Sequence, residues 1–139
     1  MGSVAGCESI ARRASAPVPL TTFVPEFNFR GEARLGGVIG IDAGCLVLVQ
    51  DDGDRYTPIW SDARLERDDH GWLIRDVHSG EIVRPGDRVI GAGGVLIETG
   101  GAGWSRAKVN DLVEPDIPGR CSFGVISFHS FRRDGSSRP

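Results

Sequence analysis

The residues that could carry chemistry in this chain are few and scattered. Its three histidines are His70, His78 and His129. His70 follows Asp68-Asp69 and His78 stands two positions after Asp76, pairings that suit a divalent metal or an acid/base dyad. Both, however, lie beside glycines in segments that read as turns, where polar residues collect anyway, and their spacing matches no ligand pattern. His129 alternates with Ser127 and is followed by Ser130. A serine hydrolase would need its nucleophile on a strained turn such as G-x-S-x-G, and the nearest approach, Gly103-Trp104-Ser105, lacks the second glycine. None of the three cysteines, Cys7, Cys45 and Cys121, belongs to a C-x-x-C pair, so zinc and dithiol redox chemistry have little support. No metal and no cofactor is therefore expected, and nothing in these residues argues for an enzyme.

Two other stretches imitate sites. Asp51-Asp52-Gly53-Asp54 is acidic, but a calcium loop needs alternating acidic positions and a distal glutamate, which a four-residue turn does not supply. Gly91-Ala92-Gly93-Gly94 lacks the Lys-Ser/Thr and the helix start of a phosphate loop, and reads as strand glycine. The aromatics are the better clue. Tyr56, Trp60, Trp72 and Trp104 fall on or beside expected loops and strand ends, where ring faces stack on ligands. Nucleic acid would bring a basic stripe. Here the formal net charge is −3, and the basic residues are scattered among acids apart from Arg12-Arg13 and Arg132-Arg133. Nucleic acid is accordingly not the expected partner. No run approaches the roughly 18–20 apolar residues of a membrane span.

The elements that would position these residues are short and extended. The 139 residues suffice for one domain with its own core. Twenty glycines and 8 prolines in a 40% hydrophobic chain suit a turn-rich β protein. The centre is Leu35–Trp60, where Val38–Ile41, Cys45–Val49 and Arg55–Trp60 are separated by Asp42-Ala43-Gly44 and Asp51-Asp52-Gly53-Asp54, both hairpin turn signals. The polar segment 61–71 reads as a loop or single helical turn. Trp72–Val77 and Glu81–Val83 form a further hairpin, and Pro85-Gly86 launches the longest strand, Arg88–Glu98, whose glycines mark a bulge or bend. Ser105 is placed to cap a short helix over 106–113, which must end before Pro115. The last strand is Ser122–Phe131. Six or seven such strands with one or two short helices predict a mainly β chain, a small OB-like closed or partly closed β-barrel; a β-sandwich is the alternative. The barrel domain is expected over 31–133, with a disordered tail over 134–139.

Residues 1–30 read as a tether interrupted by Pro17, Pro19 and Pro25, with Thr21–Arg30 lying against the barrel because of Phe23, Phe27 and Phe29. Near its start, Val4-Ala5-Gly6-Cys7 resembles the lipobox of bacterial lipoproteins. Only Met1-Gly2-Ser3 precedes it, without the basic and apolar segments of a signal peptide. The resemblance implies lipidation at Cys7, a place outside the cytoplasm, and attachment to the membrane through the lipid alone. It would also leave Cys45 and Cys121 as a natural pair, a disulfide tying the last strand to the central meander; two buried free thiols are the alternative in a reducing cytosol.

The expectation is thus a small bacterial lipoprotein with an OB-like barrel. It would serve as a non-enzymatic binding or accessory module at the cell envelope, for a protein or small-molecule ligand. Its contact surface would be the loops 61–71 and 99–105 with Trp60, Trp72 and Trp104. Two other classes stay open: a cytosolic OB-like single-stranded nucleic-acid binder, and a small metal-dependent or hydrolytic enzyme built around His70, His78 or His129.

Overall fold

The computed structural model describes residues 20–25, 27 and 31–134. Among the described residues are ten strands, β1 (Thr22–Phe23), β2 (Ala33–Asp42), β3 (Cys45–Val49), β4 (Arg55–Trp60), β5 (Ala63–Asp68), β6 (Gly71–Asp76), β7 (Ile82–Val83), β8 (Arg88–Ile97), β9 (Val113–Glu114) and β10 (Gly124–Arg133), and one short helix, α1 (Arg106–Asn110), between β8 and β9. Turn chemistry fixes the first hairpin. Asp42 pairs with Cys45, leaving Ala43 and Gly44 at φ 54° and 75°. Two positive φ values in a two-residue loop match the twist of the strands that it joins.

Five strands close into a ring. β8 lies between β2 and β10, β2 continues through β3 to β4, and β4 pairs back onto β10 in parallel. Taken in chain order as strands one to five, they run 1-2-3-5-4 around the ring. That is a five-stranded, partly closed OB-like barrel, and the chain is mainly β as expected. The thin point has a cause. The β3–β4 ladder holds only two register pairs, Leu48↔Tyr56 and Val49↔Arg55, and β1 takes over beyond it, with the Trp60 N–H bonded to the Thr21 carbonyl at 2.9 Å. Strand alternation turns the nitrogen of Pro58 to that same side, between the two partners, where its missing N–H costs no ladder bond.

Alternation also divides the core in two. Leu46, Leu48, Tyr56, Trp60, Ile126 and Phe128 point into the ring, where Trp60 meets Phe128 and Phe131 edge-on at 5.5 and 5.0 Å. Each such side chain stabilises by about 1.5–3 kcal/mol on burial. Cys45, Val47, Ile59 and Val125 point outward and are buried all the same, under Val109, Val113 and Ile117. The segment between β8 and β10, with α1 and β9, is thus a cap over the outer face of β3 and β4. The Ser105 hydroxyl accepts from the Lys108 N–H and starts α1 as its capping pattern predicts.

Cys45 and Cys121 form a disulfide, Cα–Cα 5.8 Å, which pins the end of this cap to the start of β3. Phe23 and Phe27 pack on each other at 5.4 Å, and Phe27 meets Trp104 at 6.5 Å. Among the described residues of the stretch 21–30, Phe23 and Phe27 thus pack on the cap, and β1 runs beside the end of β4. Cys7, Phe29, Arg12-Arg13 and the tail 135–139 fall outside the described residues.

The segment 61–71 corrects the sequence reading. It is not a loop, because 63–68 is β5, paired with β6 over six residues from Ala63↔Asp76 to Asp68↔Gly71. With β7 they make a second, three-stranded sheet. Ile74 and Val83, at 1% and 0% exposure, belong to the same cluster as the ring's interior residues. The small sheet thereby packs against the barrel interior.

Candidate functional site

In an OB-fold the outer face of the second and third strands, with the loop between the first two, carries the ligand. Here that face belongs to β3 and β4 and lies under the cap. The open surface is instead a groove along β10, on the outer face of β2, β8 and β10.

A bulge builds its middle. His129 sits opposite Ala92 and Arg132 opposite Ile90, so β10 spends one more residue than β8 over this interval. The extra position is taken up at Ser130, held at φ 54°, a conformation that a non-glycine residue adopts only when its surroundings enforce it. The Ser130 hydroxyl lies 2.9 Å from His129 Nδ1, while His129 Nε2 lies 2.9 Å from the Gly31 carbonyl. A carbonyl only accepts, so Nε2 carries the proton, and in the neutral ring Nδ1 accepts the Ser130 hydroxyl proton. His129 is 8% exposed. Ser130 is thus an oriented, exposed hydroxyl on a rigid strand.

On one side of Ser130 a cleft of about 320 Å³ opens between β10 and the small sheet, lined among others by Asp62, Asp76, His78, Glu81 and His129. Asp62, on the corner between β4 and β5, is another positive-φ residue (54°), and its carboxylate lies 3.0 Å from His78 Nε2. The Asp76 carboxylate is buried and accepts the backbone N–H groups of His78 and Ser79 at 2.8 and 3.2 Å, which fixes the 76–80 turn. This end is acidic.

On the other side a second cleft of about 160 Å³ shares Ser130 and Arg132 with the first and adds Arg34, Ile90, Gly91 and Ala92. It runs into a third, of about 300 Å³, through Arg34 and Ile90, bounded by Arg88, Asp51 and Asp134. Arg88 is paired with Asp51 at 2.8 Å. This end is basic, and the groove has an electrical direction along its length.

None of the four aromatic residues read from the sequence as ligand contacts lines the groove; of the three histidines, His78 and His129 do. Trp60 is fully buried inside the ring and Tyr56 is 5% exposed; neither offers a ring face to a ligand in this structure. Burial pushes the Tyr56 phenol above its ordinary value, with Glu98 and Asp54 adding to the rise. Trp72 borders a small crevice with Ile41, Leu65 and Pro85, and the Arg67 guanidinium stands 5.2 Å over its ring. Trp104 belongs to the cap cluster, with Lys108 4.5 Å over its ring. These two tryptophans therefore serve different packing units. The His70 N–H binds the Asp68 carboxylate within its own turn at 2.9 Å. No group of three His, Cys, Asp or Glu side chains among the described residues is placed to hold a metal.

Arg34 went unnoticed in the sequence, and Ser130 and Arg132 stood out only as neighbours of His129 and Arg133, because nothing local marks the three as one site. Arg34 is nearly a hundred positions from the others, and the bulge comes from a mismatch between two strands. Compared with known protein families, curated proteins and solved structures, the chain matches none.

Proposed function

We propose that this protein is a non-enzymatic binding module working outside the cytoplasm, with the groove along β10 as its contact surface. The observation that carries the reading is the Cys45–Cys121 disulfide at the cap. It fits an oxidising compartment, and it holds closed the cap over the face that an OB-fold ordinarily offers. The groove is what remains open on a rigid ring. A lipid on Cys7, as the resemblance of Val4–Cys7 implies, would tether the module to the membrane, and no described helix is long and apolar enough to cross it. The covered β3–β4 face favours this reading over single-stranded nucleic-acid binding, since that face is the usual platform for it.

The test is the intact mass of the protein from its native host, with and without reduction and alkylation, after separation of soluble, envelope and external fractions. The expected form is outside the cytoplasm, with Cys45 and Cys121 resistant to alkylation until reduced and a diacylglycerol mass at Cys7. A cytosolic chain with both thiols free in the folded protein would overturn the compartment and with it the role.

A further inference from the structure

We infer that the cleft between Arg34 and Arg132 binds a phosphate-type oxyanion, either free or carried on a lipid headgroup. The inference names the ligand chemistry of the groove and so rests on the binding reading above. The two arginines come from strands on either side of β8. Arg34 pairs with Ala92 across β2–β8, and Arg132 pairs with Ile90 across β8–β10. Gly36 completes the Arg132 row, so by strand alternation both side chains rise from the same face. At the usual strand spacing β2 and β10 lie about 10 Å apart there, a width that two long guanidinium side chains can close around one tetrahedral anion. The floor between them is small: Gly36 and Ala92 leave room beside Ile90.

Charge makes the site specific to anions. Arg55, Arg75, Arg84 and Arg88 are each paired with a carboxylate. The side chains of Arg34 and Arg132 are exposed, and neither has a hydrogen bond or ion pair among the described residues. In a chain of net charge −3, two unpaired guanidiniums facing one cleft leave a local field that an oxyanion would neutralise. Planar guanidinium forks match its oxygens in pairs. The Ser130 hydroxyl, whose proton goes to His129 Nδ1, has none left for the anion, so the two guanidiniums alone carry the site. The nearest acids of the adjoining cleft, Asp51 and Asp134, lie on its Arg88 side.

The experiment is an amide NMR titration of the full chain with inorganic phosphate at fixed ionic strength, with chloride as the control, followed by sedimentation with phosphatidylglycerol and phosphatidylcholine vesicles. Saturable shifts at Gly91, Ala92, Ser130 and Arg132, weakened at least about fivefold by Arg34→Gln or Arg132→Gln, would support the site with a soluble phosphate as its ligand. Arg133, next along β10 and directed the other way, supplies the control, and Arg133→Gln should leave the affinity unchanged. Binding to phosphatidylglycerol vesicles but not to phosphate, lost in the same two variants, would support the site with a headgroup as its source. No saturable binding to either, or an equal loss in Arg133→Gln, would overturn it. If that happens while the protein is still recovered oxidised outside the cytoplasm, the binding reading stands with another ligand.

Discussion

Replacing both Cys45 and Cys121 with alanine tests how the cap is held. The bond spans 76 positions. In the chain-entropy model a loop of that size lowers the entropy of the unfolded chain by about 15 cal/mol/K, or about 4.5 kcal/mol at 25 °C. Alanine is the right substitute because both cysteines are 2% exposed, and serine would add a buried hydroxyl in need of a partner. The assay is equilibrium urea unfolding of the oxidised protein, the reduced protein and the double variant. At a slope of roughly 1.5–2 kcal/mol/M, a loss of about 3–5 kcal/mol moves the midpoint down by about 2–3 M. The slope should also rise, since the unfolded chain without its cross-link exposes more surface. Amide exchange of Val109 and Val113 should quicken more than that of Ile126, because the bond anchors the cap and the ring has its own ladders. A loss under about 1 kcal/mol, in reduced and variant protein alike, would refute the reasoning: it would mean that the residues over β3 and β4 hold the cap without the bond.

Three further outcomes follow from particular atoms. A Cβ at Gly93 would stand 1.8 Å from the Ser127 carbonyl oxygen, so Gly93→Ala should cost at least about 3 kcal/mol by splitting β8 from β10, whereas Gly100→Ala, with open space around it, should change the urea midpoint little. The Thr57 hydroxyl is buried without a hydrogen-bond partner; Thr57→Val should raise Tm, by about 0.5–1.5 kcal/mol of stability, and a fall would show that the hydroxyl has a partner in solution. The Asp68 carboxyl is held down at about 2 by the Arg84 side chain and by the His70 N–H. Being depressed in the folded state, it lends stability above its ordinary value near 3.8 that is lost as pH falls from there through about 2. Carboxyl NMR should record that low midpoint, and Arg84→Gln should return it towards 3.8.

Much of the ring was readable because its signals are local. Asp42-Ala43-Gly44 announces a hairpin by backbone chemistry alone, the glycines of β8 announce the irregular register with β10, and Ser105 announces α1. β5 escaped because its residues, ARLERD, carry one strong apolar side chain, Leu65, and no clear alternation. Its extended form is imposed by β6, with Arg75 and Glu66 paired across the two strands at 2.9 Å. Trp60 was misplaced for a related reason: the polarity of its neighbours set it near a loop, but the largest apolar surfaces are the first to be buried, and Trp60 fills the ring. The groove was illegible because it depends on which strands lie side by side. The Arg34 and Arg132 rows meet only across β8, and Ser130 owes its φ to a one-residue mismatch that no window of sequence contains.

The groove itself is tested most directly by site-specific photocrosslinking in the native host. A benzoylphenylalanine at Glu81, exposed on the cleft beside β10, is compared with one at Asp111, exposed on the cap. A discrete mass adduct from Glu81 and none from Asp111 is the predicted result. An adduct from Asp111 alone would place the working surface on the cap and contradict the account, as would the absence of any adduct from either position.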